Sequence, residues 1–290
     1  MTKNQKAAAP MSGTYARTGL LWIVMVGGMF ALAAWIHGDL DYRTALLLLG
    51  LCFVCELVDS GLGMGYGTIL TPALLLLGYD AHDIVPTVLL SELLSGMSAA
   101  FFHNEIRNVD FAQGRDLLAA VILAAGSVAG VTAGVFLAVN LPRDVLNVGV
   151  GCVILLSGFL VVTLAHKIID YRHWKMVLLA IVASFNKAVS GGGYGPLVTS
   201  GQLLSGVPTR ASVGITSFAE ACTCLIGVTL FLALGGWINL SLFLPLSAGA
   251  LLSVPFSAFA VSRTNERVLS VAIGLLTIAM GFLTIFKSWK

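Results

Sequence analysis

The chain has 290 residues, of which 58% are hydrophobic and only 10% are charged. A soluble domain carries about 25% charged residues, so this composition excludes an ordinary water-soluble protein. The net charge of +2 gives no reason to expect a nucleic-acid partner. The apolar runs are about 18 to 25 residues long, which suits membrane-spanning helices rather than barrel strands. The sequence therefore predicts an all-α polytopic membrane protein.

The first apolar run covers residues 19–36 and follows the basic residues Lys3, Lys6 and Arg17. Two interpretations fit this pattern. The run is either a signal peptide, with Ala31-Leu32-Ala33 as its cleavage motif, or a spanning helix that stays in the mature protein. We favour the retained helix. Residues 1–44 then form an N-terminal tail and one extra transmembrane helix.

After this helix the sequence repeats itself. A shift of 128 positions superposes the segment after residue 59 on the segment after residue 187. The matched positions are Gly63/Gly191, Gly65/Gly193, Tyr66/Tyr194, Gly67/Gly195, Thr71/Thr199 and Glu92/Glu220. Near the ends of the copies, a shift of 123 pairs "VLNVGVGCVILLSGFL" with "VLSVAIGLLTIAMGFL". The repeat predicts two copies, 45–165 and 173–286, within one membrane domain.

Each copy begins with an apolar segment that breaks at glycines and resumes as a shorter segment. Three long apolar runs follow, at 84–102, 117–139 and 145–165 in the first copy and at 210–234, 239–261 and 268–286 in the second. If each broken segment is a re-entrant hairpin that crosses nothing, all four clusters of basic residues lie on the cytoplasmic side. Kinked spanning helices would instead move Arg263 and Arg267 outside. We therefore predict three crossings per copy and an inverted-topology repeat.

A broken helix in a membrane needs partners for its free backbone groups. The returning helices are predicted to begin near Thr68 and Pro196, where free N–H groups and the positive end of the helix dipole attract an anion. Glycine allows the backbone to approach a ligand closely. The alternative is that these glycines only permit tight helix packing. The candidate substrate-binding residues are Gly63, Gly65, Tyr66, Gly67, Thr68, Lys187, Ser190, Gly191, Gly193, Tyr194 and Gly195.

The paired segments "GLGMGYGTILTPALLLLG" and "GGGYGPLVTSGQLLSG" resemble the sulfite exporter TauE/SafE family of membrane transporters. The resemblance covers nearly the whole chain after the first helix. It implies a multi-pass protein of the cytoplasmic membrane that moves small sulfur-containing anions, such as sulfite, thiosulfate or organosulfonates. It implies no cofactor. Combined with the inverted repeat, it favours a secondary transporter that works by alternating access.

Five charged residues lie inside apolar segments, where a charge is a functional candidate. These are Glu56, Asp59, Glu92, Lys187 and Glu220. Asp59 and Lys187 occupy equivalent positions, so they either form a pair or leave Lys187 to face the anion. Glu92 and Glu220 either carry a coupling proton or accept hydrogen bonds from the glycine loops. His103 is expected at the membrane interface.

Other functions remain open at this stage. An anion channel would use the same helix dipoles, and a carrier for a small carboxylate would need the same amides. An intramembrane enzyme is disfavoured, since the sequence has no HExxH motif and no convincing nucleophile–base pair. The cysteines suggest buried small residues rather than a metal or redox site. The lipid bilayer is an expected partner, and the sequence does not indicate the oligomeric state.

Overall fold

The computed structural model of the protein describes residues 13–36, 41–112, 114–142, 173–205 and 207–261, together with isolated helical positions between 145 and 159 and between 275 and 286. Every regular element in these ranges is an α-helix. The helices are α1 (Gly13–Ile36), α2 (Tyr42–Leu62), α3 (Tyr66–Leu77), α4 (Ala81–Glu105), α5 (Gly114–Asn140), α6 (His173–Ser190), α7 (Tyr194–Leu204), α8 (Thr209–Ala233) and α9 (Leu240–Ala260).

Five helices of the described ranges, namely α2, α4, α5, α8 and α9, are long and apolar enough to cross a membrane. This confirms the predicted all-helical polytopic class. Four of these helices, α4, α5, α8 and α9, coincide with predicted apolar runs. The third run of each copy, 145–165 and 268–286, lies outside the continuously described residues, and so do Arg263 and Arg267.

The first broken segment differs in one respect from a hairpin of two half-helices. Helix α2 has 21 residues, which corresponds to about 31 Å and is long enough to cross the bilayer core. Only α3, with 12 residues, has the length of a half-helix. The break falls at the expected glycines, where Gly63 ends α2 in a left-handed conformation. The returning helices begin at Tyr66 and Tyr194, two residues before the predicted starts.

Helices α2 and α4 run in the same direction. The Ser95 hydroxyl donates a hydrogen bond to Glu56 Oε2 at 3.0 Å. Further along both helices, His103 Nε2 donates to the carbonyl oxygen of Ser60 at 2.8 Å. Both helices therefore begin at the same side of the molecule, and α3 must lead the chain back to that side.

The equivalent helices α4 and α8 run antiparallel to each other. Gly96 of α4 lies against Ser217 and Ala221 of α8, whereas Leu89, two turns earlier in α4, lies against Gly227, later in α8. These two helices carry the matched residues Glu92 and Glu220. The matched residues of the two copies thus lie on helices that point in opposite directions.

The remaining contacts between the two predicted copies are reciprocal. Helix α5 of the first copy packs against α6 and α8, while α9 of the second copy packs against α2 and α4. Glycines provide the close approach in both pairs. A Cβ atom on Gly130 of α5 would meet the Ile181 carbonyl oxygen of α6, and one on Gly249 of α9 would meet the Leu49 carbonyl oxygen of α2. Small residues at such seams are typical of membrane helix packing.

Helix α1 lies outside this two-copy arrangement. It packs against α9, where Trp22 Nε1 donates a hydrogen bond to the Leu251 carbonyl oxygen at 2.8 Å. The Trp22 ring also contacts Phe102 edge-on. The predicted apolar run 19–36 therefore lies within a helix that packs against α9 and touches α4 through Trp22.

Candidate functional site

The two glycine breaks meet inside the protein. We call residues 63–68 and 190–195 the crossing. Each break has glycines in conformations that other residues rarely adopt, with φ of +67° at Gly63, +137° at Gly65, +72° at Gly191 and +80° at Gly193. These are the matched pairs of the repeat. Both predicted copies therefore interrupt their helices with glycines of positive φ at matching positions.

The two breaks lie backbone to backbone, and their contacts are also reciprocal. Gly67 lies against Gly191 and Gly192, and its counterpart Gly195 lies against Gly63 and Met64. A Cβ atom on Gly195 would come within 2.5 Å of the Gly63 carbonyl oxygen. The glycines were predicted to let a ligand approach the backbone. In this structure they let the two breaks approach each other.

One hydrogen bond satisfies an amide within the first break, and two more join the first break to the second break and to α7. The Tyr66 amide donates to Asp59 Oδ1 at 3.1 Å, and the Gly193 amide donates to the Thr68 hydroxyl oxygen at 3.0 Å. The Thr199 hydroxyl donates to the Gly63 carbonyl oxygen at 2.6 Å. Two amides at the N-terminal ends of the returning helices are therefore bound to side-chain oxygens of the protein.

Ser190 stabilises the second break locally. Its hydroxyl oxygen accepts a hydrogen bond from the Gly192 amide at 3.2 Å, and the same hydroxyl lies 2.9 Å from the Asn186 carbonyl oxygen. The side chain of Ser190 is 1% exposed. Ser190 was predicted to donate a hydrogen bond to the anion. In this structure its hydroxyl instead stabilises the conformation of the second break.

The two matched tyrosines bond to groups outside the crossing. Tyr66 Oη lies 2.9 Å from Cys52 Sγ and 2.6 Å from Ser91 Oγ. Tyr194 Oη lies 3.1 Å from Ser127 Oγ. Both tyrosine side chains are completely buried. In this structure the two tyrosines take part in the crossing through their backbone atoms, while their rings pack in the protein interior.

A buried ionic cluster lies next to the crossing. Lys187 Nζ lies 2.7 Å from Glu220 Oε1 and also forms an ion pair with Glu92 Oε2. Carboxylate oxygens of Asp59, Glu92 and Glu220 lie within 4.8 Å of one another. Lys187 is completely buried, and none of the three carboxylates is more than 8% exposed. We call these four residues the ionic cluster.

The cluster bears on two alternatives that the sequence leaves open. The ion-pair partners of Lys187 among the described residues are Glu92 and Glu220, so the direct Asp59–Lys187 pair does not form. The carboxylate that accepts a hydrogen bond from a glycine break is that of Asp59. The arrangement also resembles a three-carboxylate metal site, but the Lys187 ammonium already bridges Glu92 and Glu220. The cluster therefore carries its own cation.

His103 lies in the last turn of α4, in agreement with its expected place at a helix end, but the protein encloses its side chain. Its side chain is completely buried, and Asn108 Nδ2 lies 2.9 Å from its Nδ1 atom. This contact leaves Nε2 as the donor to the Ser60 carbonyl oxygen near the end of α2. Helix ends leave carbonyl oxygens without intrahelical partners, and His103 satisfies one of them. The sequence places His103 near a helix end but gives no sign of its contact with the loop residue Asn108.

Sequence reasoning also missed the partners of Glu56. Its carboxylate accepts hydrogen bonds from the hydroxyls of Ser60 and Ser95. Ser60 follows Glu56 by four residues, a spacing that places both on one face of a helix and could have indicated the contact. Ser95 comes from another helix, and no local signal connects it to Glu56.

Comparison with known proteins assigns the sequence to a family. The sequence profile of the family described as "Sulfite exporter TauE/SafE" matches residues 47–284, which include both breaks and the whole ionic cluster. The chain belongs to the TauE/SafE family. This family consists of membrane transporters and is not a class of enzymes. The TauE/SafE protein described here is therefore a multi-pass transporter of the cell membrane.

One relative supports the same assignment. A "Probable membrane transporter protein YtnM" from Bacillus subtilis (strain 168) is 27% identical to this TauE/SafE chain over 247 residues. The match covers 81% of this chain and 80% of the relative. No solved structure matches the chain.

Proposed function

We propose that this TauE/SafE protein is a secondary transporter that moves a small sulfur-containing anion, namely sulfite, thiosulfate or an organosulfonate, by alternating access. The anion binds at the crossing, between the N-terminal ends of α3 and α7. The observation that carries the proposal is the contact from the Tyr66 amide to Asp59 Oδ1. It places a carboxylate oxygen, the chemical equivalent of a small oxyanion, at the N-terminus of α3.

The second break supplies matching donors. The Gly193 amide is bound to the neutral Thr68 hydroxyl, which is a weaker acceptor than an anion. An incoming oxyanion that separates the two breaks can therefore accept hydrogen bonds from both sides. Helix N-termini in broken membrane helices bind anionic groups of substrates in this way.

The helix directions support an inverted-topology repeat with copies at 45–165 and 173–286. Helices α4 and α8 carry the matched glutamates and run antiparallel, and the helices around them pack reciprocally. Such a repeat gives a transporter two related conformations, each open to one side of the membrane. The direct backbone contact at the crossing favours a carrier over a channel, because a channel needs a continuous pore.

We propose protons as the coupling ion. The ionic cluster places three carboxylates beside the crossing, and carboxylates are the groups that carry protons in many transporters. The direction of anion movement then follows the proton gradient.

A flux screen in liposomes tests the proposed function. Purified protein is reconstituted and tested with sulfite, thiosulfate, taurine and acetate, each with and without a pH gradient. We expect saturable flux of at least one sulfur anion, faster than that of acetate, and a response to the pH gradient. Flux that does not saturate would identify a channel, and a preference for acetate would identify a carboxylate carrier. Protein-free liposomes give the background.

A further inference from the structure

The carboxylate of Asp59 occupies the position that we assign to the transported anion. Its Oδ1 atom accepts the Tyr66 amide at 3.1 Å, at the start of α3. The matched residue of the second copy is Lys187, so only the first break carries an acidic side chain at this position. An anion that binds the Tyr66 amide must displace Asp59 or bind next to it.

The surroundings of Asp59 contain more acid than base. Three carboxylates face one ammonium in the ionic cluster, which leaves two negative charges when all four groups are ionised. Glu92 Oε2 faces Lys187, but Glu92 Oε1 is buried and accepts no hydrogen bond from any residue that the structure describes. An oxygen in this state can accept a hydrogen bond from a neighbouring carboxyl group that has taken up a proton. The unpartnered oxygen thus points to a proton as the missing positive charge.

Asp59 also has titratable neighbours on every side. They are Glu56 and Cys55 on its own helix, Glu92 on α4, Lys187 on α6, and Glu220 and Cys224 on α8. His103 contacts the adjacent residue Ser60 through a ring nitrogen that donates to a carbonyl oxygen. Lys187 is the basic member of this set, and two glutamates already engage it. A further anion at the crossing would meet uncompensated negative charge in a poorly solvated interior.

We propose that Asp59 is a proton-controlled plug of the anion site. As a carboxylate, Asp59 holds the Tyr66 amide and withholds it from an anion. When it takes up a proton from solution, Asp59 is a neutral acid that keeps this proton, donates it as a hydrogen bond to an oxygen of Glu92 or Glu220, and releases the Tyr66 amide to the transported anion. This inference rests on the proposed function and adds to it the residue at which proton and anion compete. Because the two binding events favour each other, each anion that binds brings a proton with it.

Proton linkage sets the expected pH dependence. If one proton is taken up with each anion, the anion affinity rises about tenfold for each unit by which the pH falls. The increase stops at the pH at which the site is already protonated in the absence of the anion. In Asp59→Asn the side chain is permanently neutral. We expect its anion affinity to vary less than about threefold between pH 6 and pH 8, and to exceed that of the wild type by about tenfold at pH 8.

Proton uptake upon anion binding is the decisive measurement. Thiosulfate is added to the purified full-length protein in detergent and a weak buffer, and bound anion and absorbed protons are counted together. Thiosulfate itself does not titrate in this range, so any uptake belongs to the protein. We expect about one proton per bound anion in the wild type and close to none in Asp59→Asn. Glu105→Gln, at the exposed end of α4, is the matched control and should behave like the wild type.

The possible outcomes separate the two proposals. Thiosulfate binding without proton uptake by the wild type would overturn the plug, and so would binding that needs Na⁺ instead. A failure to bind any of the sulfur anions at any pH would overturn the proposed function, and the plug with it. If Asp59→Asn does not fold, the proton uptake of the wild type alone still distinguishes these outcomes.

Discussion

Lys187 is the residue on which the ionic cluster depends. Its ammonium is completely buried and forms ion pairs with Glu92 and Glu220, which lie on two different helices. Burial of such charges costs free energy that the pair interactions only partly recover. Removal of the single cation leaves the carboxylates unpaired in the interior. The lysine therefore stabilises both the fold and the charge state of the site.

The substitution Lys187→Met tests this role. We expect a loss of about 3–5 kcal/mol in the free energy of unfolding, seen as a lower apparent Tm in detergent. Adding Glu92→Gln and Glu220→Gln should restore part of the loss, since these changes remove the unpaired charges. Lys175→Met, on the same helix but half-buried, is the control. Equal losses for Lys187→Met and Lys175→Met would contradict the role of the cluster in stability.

The contact between the two breaks is the central feature of the helix arrangement. The helices themselves follow from apolar runs, and the breaks follow from the glycines with positive φ. Both were predictable because the signals are local. The Lys187 partners and the burial of His103 were not predictable, because they depend on how α4, α6 and α8 come together. The repeat predicted two matching breaks, but not that their backbones touch.

Gly195→Ala tests the contact between the breaks. The new Cβ atom would lie 2.5 Å from the Gly63 carbonyl oxygen, so the breaks must move apart. We expect a loss of about 1–3 kcal/mol in stability and loss of saturable anion flux. Gly61→Ala is the matched control, since its Cβ atom would meet nothing within 4 Å. Normal stability and flux in Gly195→Ala would show that the close contact does not matter for transport.

Alternating access, as proposed for the whole molecule, needs two copies that point in opposite directions. Glu105 and Ala233 are the last residues of α4 and α8, and the shift of 128 positions makes them equivalent. Antiparallel α4 and α8 place these two exposed positions at opposite ends of the molecule. The predicted orientation puts Glu105 on the cytoplasmic side, near the basic residues Arg107 and Arg115.

Cysteine labelling in intact cells tests this topology. Glu105→Cys and Ala233→Cys are introduced separately into a variant in which Cys152 and Cys222, which are not fully buried, are replaced by serine. We expect a membrane-impermeant maleimide to label the Ala233→Cys protein from outside, and the Glu105→Cys protein only after permeabilisation. The parent variant gives the background. Labelling of both positions from the same side would contradict the inverted repeat.

The most direct test of the anion site is an experimental structure determined with thiosulfate. Our account predicts the anion at the crossing, within about 3 Å of the amide nitrogens of Tyr66 and Gly193, with Asp59 no longer bonded to Tyr66. An anion bound elsewhere, with the Tyr66–Asp59 hydrogen bond and the contact between the breaks unchanged, would contradict it.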